Sequence, residues 1–391
     1  MKISYFSPFN PIRSGISDYS EELLPHLRKH MGIKIFTDHE YVPENIQDYK
    51  SYLDFSGNAD YDANLFQIGN HACHSYMYPL LKKHSGIVVM HDLNLHGMVW
   101  SNAIQRNKSR VEFLKEMVSN HGIRGLEAAI RSRLAGSRID ACDFPMNRGI
   151  INSSNAIIVH NNHMKKEIEK INPTIQVKKI NHGADLVDAG SPVKSRKELG
   201  IPDRHDFIIC SFGFVQRHKR IIQALKAFRE FLKMNPKSLY IICGKKDREF
   251  DIDSIVRKMG LSDNVVVTGY VPRQKGFEYI NASNLCINLR WPSTGATSGS
   301  LIDILSVGKP VVLNNLPEYQ DYPDDCTFKV NLNDEENEIN RIADIMGIVK
   351  DDPELQKRMS AKARHYIESN CRWRDIAVQY KKFLQSVICN Q

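Results

Sequence analysis

The stretch NLCINLRWPSTGATSGSLIDILSVGKPVVLNN, residues 284–315, decides the fold. It opens on a strand-like run at 284–291 and closes on a second, PVVLNN, at 310–315. Between them lie a loop of small and polar residues and an amphipathic run carrying Leu301, Ile302 and Leu305, stopped by Gly308. Strands that are apolar throughout are buried on both faces, and a helix linking two of them implies parallel pairing.

The alternation continues outward in both directions. Strand-like runs recur at 2–7, 32–37, 63–69, 86–92, 155–161 and 177–183, and again at 206–215, 238–245 and 264–271, with helix-like segments between. The pattern restarts at about residue 206, after a polar stretch at 183–205 that holds Gly and Pro. A chain of 391 residues is also too long for one ordinary core. The sequence therefore predicts an α/β protein with two Rossmann-like, doubly wound parallel sheets facing across a cleft. The expected domains are 1–185 and 186–370, with an amphipathic final helix in 371–391. Residues 99–150 carry no strand signal but two helical runs, 109–122 and 124–136, and predict a helical insertion. Its basic excess suits either a solvated surface or a face for a membrane or an anionic acceptor.

Composition narrows the partners. Net charge is +8, which favours phosphates, nucleic acid or anionic surfaces. No arginine-rich arm, zinc finger or RNA-binding aromatic motif is present, which argues against nucleic acid. No apolar run reaches membrane-spanning length, and the N-terminus lacks the apolar core of a signal peptide. Eight scattered cysteines without a CxxC pair fit reduced thiols in a cytoplasmic protein. The spacing of His71, Cys73, His74 and His96 matches no familiar zinc signature, so no metal is expected.

Open α/β sheets bind ligands beyond the carboxyl ends of their strands. After the first strand, Gly15 precedes a helix whose start reads as a cap formed by Asp18 with Glu21. The fourth strand ends in His91 and Asp92, and a histidine there serves either a sugar hydroxyl or the structure itself. The strand at 206–215 leads into Arg217, His218, Lys219 and Arg220, a basic cluster at a helix start that suits a diphosphate. Gly269–Pro272 reads equally as a seat for a base edge and as a simple turn. In the opening stretch, Thr297 and Ser298 are natural N-caps, so the amides of Ser298, Gly299 and Ser300 form a cradle for phosphate.

In this order the segments SGISDYS, VVMHD, VHNNH, NHGADL, SFGFVQRHKR, GYVP and PSTGATSGSLIDILSVGKPVV resemble glycosyltransferase family 4, of GT-B architecture. The resemblance spans nearly the whole chain. It implies a retaining transferase using a UDP- or GDP-linked sugar, UDP favoured, with no metal and no further cofactor. The acceptor it implies is a glycan or lipid-linked saccharide, handled in the cytoplasm or at the inner face of a membrane. It further implies that the final helix crosses back to the first domain. By the same likeness Gly15 approaches the donor diphosphate and His91 touches the transferred sugar. Lys219, with Arg220 or Arg217, neutralises the diphosphate, and the backbone at Val271 holds the base. The helix start at Ser298, Gly299, Ser300 and Leu301 binds phosphate oxygens, and Asp303 reaches the ribose. Two departures stand out: Phe214 occupies the place of an expected arginine, and Gly295 or Ala296 that of an expected glutamate.

Overall fold

The computed structural model describes the whole chain except residues 39, 41, 58–59, 136–138 and 390–391. Residues 136–138 belong to the expected insertion and lie outside the described residues. The chain divides into two units. The first comprises Met1–Gly183, Thr294–Thr297 and Trp373–Gln391; the second comprises Ala184–Ser293 and Ser298–Arg372.

The first unit is built on seven parallel strands: β1 (Lys2–Phe6), β2 (Gly32–Thr37), β3 (Tyr49–Ser51), β4 (Ala63–Ile68), β5 (Ile87–Met90), β6 (Ala156–Val159) and β7 (Gln176–Lys179). Their order is β3-β2-β1-β4-β5-β6-β7. The second unit holds six: β8 (Phe207–Phe212), β9 (Ser238–Cys243), β10 (Val265–Gly269), β11 (Leu285–Ile287), β12 (Val311–Asn314) and β13 (Thr327–Val330), ordered β10-β9-β8-β11-β12-β13. Each sheet is packed on both faces by separate apolar clusters, which is why the central strands read as unbroken apolar runs. Three cysteines, Cys210, Cys243 and Cys286, sit in the second of these cores as free thiols.

All eleven expected strands are present. Strands β3 and β13 are additions, and β11 stops at Ile287, four residues before the run predicted from sequence ends. In both sheets the order reverses beside the first strand of the unit, between β1 and β4 and between β8 and β11. Such a switch point leaves a crevice at the carboxyl ends, because the two neighbouring connections leave in opposite directions.

Local signals set the helices. Gly122, at φ 60° and ψ −139°, breaks the helical span Arg110–Ala135 between the two runs read from sequence. The C-terminal helix Trp373–Cys389 buries Trp373, Ile376, Ala377, Tyr380, Phe383, Leu384 and Val387, a three-and-four spacing that puts one stripe inward. It packs against the helix Gly15–Leu27 of the same unit. The Tyr19 and Tyr380 hydroxyls lie 2.6 Å apart, and Trp373 Nε1 donates to Glu22 at 3.0 Å. Among the described residues no helix is long and apolar enough to cross a membrane.

Candidate active site

The second unit gathers its charged and polar groups at the β8/β11 switch point. Beyond β8, Gly213 adopts φ +119°, and a Cβ there would stand 3.3 Å from the Ser300 side chain. Just past strand β11 comes Asn288, whose Nδ2 donates to Ser300 Oγ at 2.8 Å and whose Oδ1 accepts from Ser298 Oγ at 3.4 Å. Ser298 is the N-cap of the helix Gly299–Val307, accepting the Leu301 amide. That amide also bonds the Ser298 carbonyl at 3.0 Å, so Leu301 is spent within the helix start. The amides free of an intrahelical partner in the first turn are those of Gly299 and Ser300, at the positive end of the helix.

Lys219 joins this group. With Ser211, Gly213 and Asn288 it lines a cavity of about 10 Å³, room for roughly one water. Burial, and then the charge of Arg290, hold its ammonium well below the ordinary lysine range. The adjacent His218 is lowered to about 4 by burial, then by Lys219 and Arg290, so it stays neutral near pH 7. Three separate elements thus bring Lys219, Gly213 and the tip of one helix together.

The other basic residues divide. Arg217 is exposed and lies over the Phe250 ring, 5.4 Å from its centroid. Arg220 takes the left-handed conformation, φ 51°, which turns it to the buried Glu338. Its Nε donates to Glu338 Oε1 at 3.0 Å and its Nη2 to Oε2. Arg220, expected to serve a diphosphate, here has its guanidinium engaged in a fork with a buried carboxylate. Asp303 is likewise engaged by Arg273 Nη2 at 2.6 Å, and burial raises its pKa despite that arginine. Val271 lies partly buried just past the end of β10, packed on the core.

The first unit's strand ends have a different character. His91, after β5, donates from Nε2 to Gln67 Oε1 at 2.8 Å, leaving Nδ1 as its acceptor edge. Burial, then His160, His182 and His74, hold it well below the usual histidine range. Its ring meets those of Tyr19 and His160, each at 4.9 Å. Gly15 is the first residue of its helix and has nothing within 4 Å of a Cβ position. The cap there is Ser14, which accepts the Ser17 amide, and not Asp18. Glu21 instead accepts from the Asn10 backbone at 2.9 Å and from Asn45 at 2.8 Å.

The expected glutamate position lies in the loop 294–297, which belongs to the first unit. The Thr294 carbonyl accepts from the Leu93 amide at 2.9 Å, and the Gly295 carbonyl from Asn161 Nδ2 at 2.9 Å. Gly295 has φ +73°, and a Cβ there would stand 2.8 Å from that of Leu93, so this position takes no side chain. Ala296 beside it is buried, 7% exposed.

One residue of the second unit was missed by sequence reasoning. Arg290 follows β11 and is buried, with an Nε that has no hydrogen-bond partner. In sequence it is one basic residue at the end of an apolar run, and only the β8/β11 adjacency reveals its neighbours.

Comparison with known proteins agrees with this architecture. Residues 194–366 match the family described as glycosyl transferases group 1. No curated protein sequence matches the chain. Among solved structures, sucrose-phosphate synthase from Thermosynechococcus elongatus is 14% identical, with TM-score 0.69 over 100% of both chains. Anabaena HepE in complex with UDP is 13% identical, with TM-score 0.64 over 99% of this chain and 100% of that one. WaaG, a glycosyltransferase involved in lipopolysaccharide biosynthesis, is 13% identical, with TM-score 0.60 over 98% and 99%. At such identities the likeness is one of fold. The chain thus has the α/β GT-B fold, and its residues 194–366 carry the glycosyl transferases group 1 match.

Proposed function

We propose that the protein transfers a sugar from a nucleoside diphosphate sugar to an acceptor hydroxyl, with the second unit holding the donor. The observation that carries this is the convergence of Lys219, Gly213 and the amide end of the helix Gly299–Val307 at the β8/β11 switch point. The group 1 match over this unit supports the reaction class, and the UDP complex of HepE favours a UDP-linked donor.

Expelling a nucleoside diphosphate gathers negative charge on its terminal phosphate. Lys219 and the Gly299 and Ser300 amides would meet that charge with bonds already aimed. Each charge-assisted bond contributes about 1.5–3 kcal/mol. Three that strengthen in the transition state would supply roughly 5–9 kcal/mol, on the order of 10⁴–10⁶ in rate. In the retaining course we infer, the acceptor attacks from the face of departure. Its oxygen bonds the anomeric carbon as the carbon–phosphate-oxygen bond breaks, and the leaving phosphate oxygen takes the acceptor proton. No protein base and no metal enters this course. His91, neutral and presenting Nδ1, would accept a hydroxyl hydrogen of the transferred sugar, and Gly15 would admit the donor at its open helix start. The acceptor class that suits this reading is a glycan or lipid-linked saccharide, met in the cytoplasm or at the inner face of a membrane.

Ala296 favours a second reading, a nucleotide-sugar-binding protein without turnover. A panel of UDP- and GDP-sugars, scored by calorimetry and by release of the nucleotide, separates the two. The transferase reading expects one donor to bind and turn over, and Lys219→Ala to weaken diphosphate binding about tenfold or more. Binding without turnover supports the second reading. Failure of every nucleoside diphosphate to bind sinks both.

A further inference from the structure

A second buried basic residue adjoins the proposed donor seat. Arg290 is 9% exposed, and its Nε is buried without a partner. Its backbone is fixed on two sides. The Arg290 amide donates to Asn314 Oδ1 at 2.8 Å, and the next amide, of Trp291, donates to the His218 carbonyl at 2.8 Å. The second bond ties this segment to the turn Arg217–Lys219. Among the described residues no carboxylate forms an ion pair with Arg290. Glu318, buried nearby in sequence, receives Ser293 Oγ on its Oε1 at 2.5 Å. The bond from Trp291 to His218 therefore sets two basic residues, Arg290 and Lys219, on adjoining segments, neither of them in an ion pair among the described residues.

Like charges held out of water oppose folding unless something offsets them. A guanidinium presents a planar fork that fits two phosphate oxygens at once, where an ammonium is a point charge. We propose that Arg290 is the second cationic arm of this seat, gripping the terminal phosphate of a nucleoside diphosphate opposite Lys219. The inference rests on the donor-binding reading above and adds a residue to it. Arg217 and Arg220, nearer to Lys219 in sequence, leave the role open: one lies over Phe250 and the other is held by Glu338.

The test uses the full chain, with UDP, GDP, uridine, guanosine and inorganic pyrophosphate as calorimetric probes. For whichever nucleoside diphosphate the natural protein binds, Arg290→Gln is expected to weaken binding about tenfold or more. Pyrophosphate should weaken in parallel, the matching nucleoside should bind as before, and Arg290→Lys should recover part of the loss. The ligand-free melting temperature of Arg290→Gln should stay close to that of the natural protein, because among the described residues Arg290 forms no ion pair that the change would break. Diphosphate binding unchanged in Arg290→Gln overturns the inference while leaving the donor-binding reading intact. A lower melting temperature with diphosphate and nucleoside weakened alike would make Arg290 a structural strut, and also overturns it. A natural protein that binds none of the diphosphates removes the donor-binding reading first, and this inference with it.

Discussion

The two units repeat one architecture and end their strands in opposite chemistry. At the carboxyl ends of β4, β5 and β6 the first unit places Gln67, His91 and His160, joined by His74, His182 and Tyr19 in a buried cluster of neutral rings. Beyond the matching ends of β8 and β11 the second unit places the basic side chains of Lys219 and Arg290, neither in an ion pair among the described residues. A parallel sheet fixes where a ligand crevice opens but not what it will hold. Neutral imidazoles with one nitrogen committed suit the hydroxyls of a sugar, whereas basic side chains beside a helix's amide end suit an anion.

Acid should separate the units most strongly. His74 is lowered to about 4, His160 to about 3 and His182 to about 4, each chiefly by burial, and His91 is held low by the same cause. An unfolded histidine titrates at about 6.5, so below that pH the unfolded chain binds more protons than the folded one. The stability these groups support is complete above about pH 6.5 and is lost as pH falls toward the folded values. Each contributes about 1.4 kcal/mol per pH unit within that window. Urea unfolding at pH 7.5 and pH 5, with hydrogen exchange resolved by strand, should show β4, β5 and β6, beside four such histidines, opening before β8 and β11, where His218 is lowered in the same way. Equal acid sensitivity in both sheets would erase the contrast.

Glu338→Ala tests whether the second unit's cations divide into strut and ligand arm. Glu338 is 1% exposed and binds Arg220 as a fork as well as Asn314 Nδ2 at 2.7 Å. Removing it strands a guanidinium in the interior, at a cost of about 3–5 kcal/mol. Nucleotide affinity of the folded protein should change far less than in Lys219→Ala. Unchanged stability with a tenfold loss of binding would return Arg220 to the seat and break the division.

Most of the framework was legible because it is local. Apolar runs marked every central strand, and the strands that escaped, β3 and β13, are short and at sheet edges, where YKS and TFKV carry little apolar signal. The cap at Ser298 was readable because a capping serine acts on the residue three positions on. At the other helix start the Asp18–Glu21 spacing imitated a capping box, while Ser14 filled the cap and Glu21 turned to Asn10. The cations show where local reading ends. Arg220 adjoins Lys219 in sequence, yet its partner lies 118 residues away. Arg290 carries no local signal, because strand order and not sequence distance sets it near Lys219.

The smallest effect concerns the loop 294–297, where the first unit takes in a segment of chain bounded on both sides by the second. If the contrast between the units is built into the fold, this loop should refuse a charge. Gly295 already does so, since Leu93 occupies the space of its Cβ. At 296 a glutamate would have to enter a buried position in a loop whose Thr294 hydroxyl already donates to Asp92 at 3.3 Å. A carboxylate buried there without a donor should cost about 1–3 kcal/mol. Ala296→Glu is therefore expected to melt earlier and to gain no turnover on any donor that the natural protein binds. A variant that keeps its melting temperature and transfers sugar faster would show that the loop has room and a partner for the charge. The alanine would then be an accident of sequence on an otherwise receptive backbone, and the neutrality of the first unit would stop short of this loop.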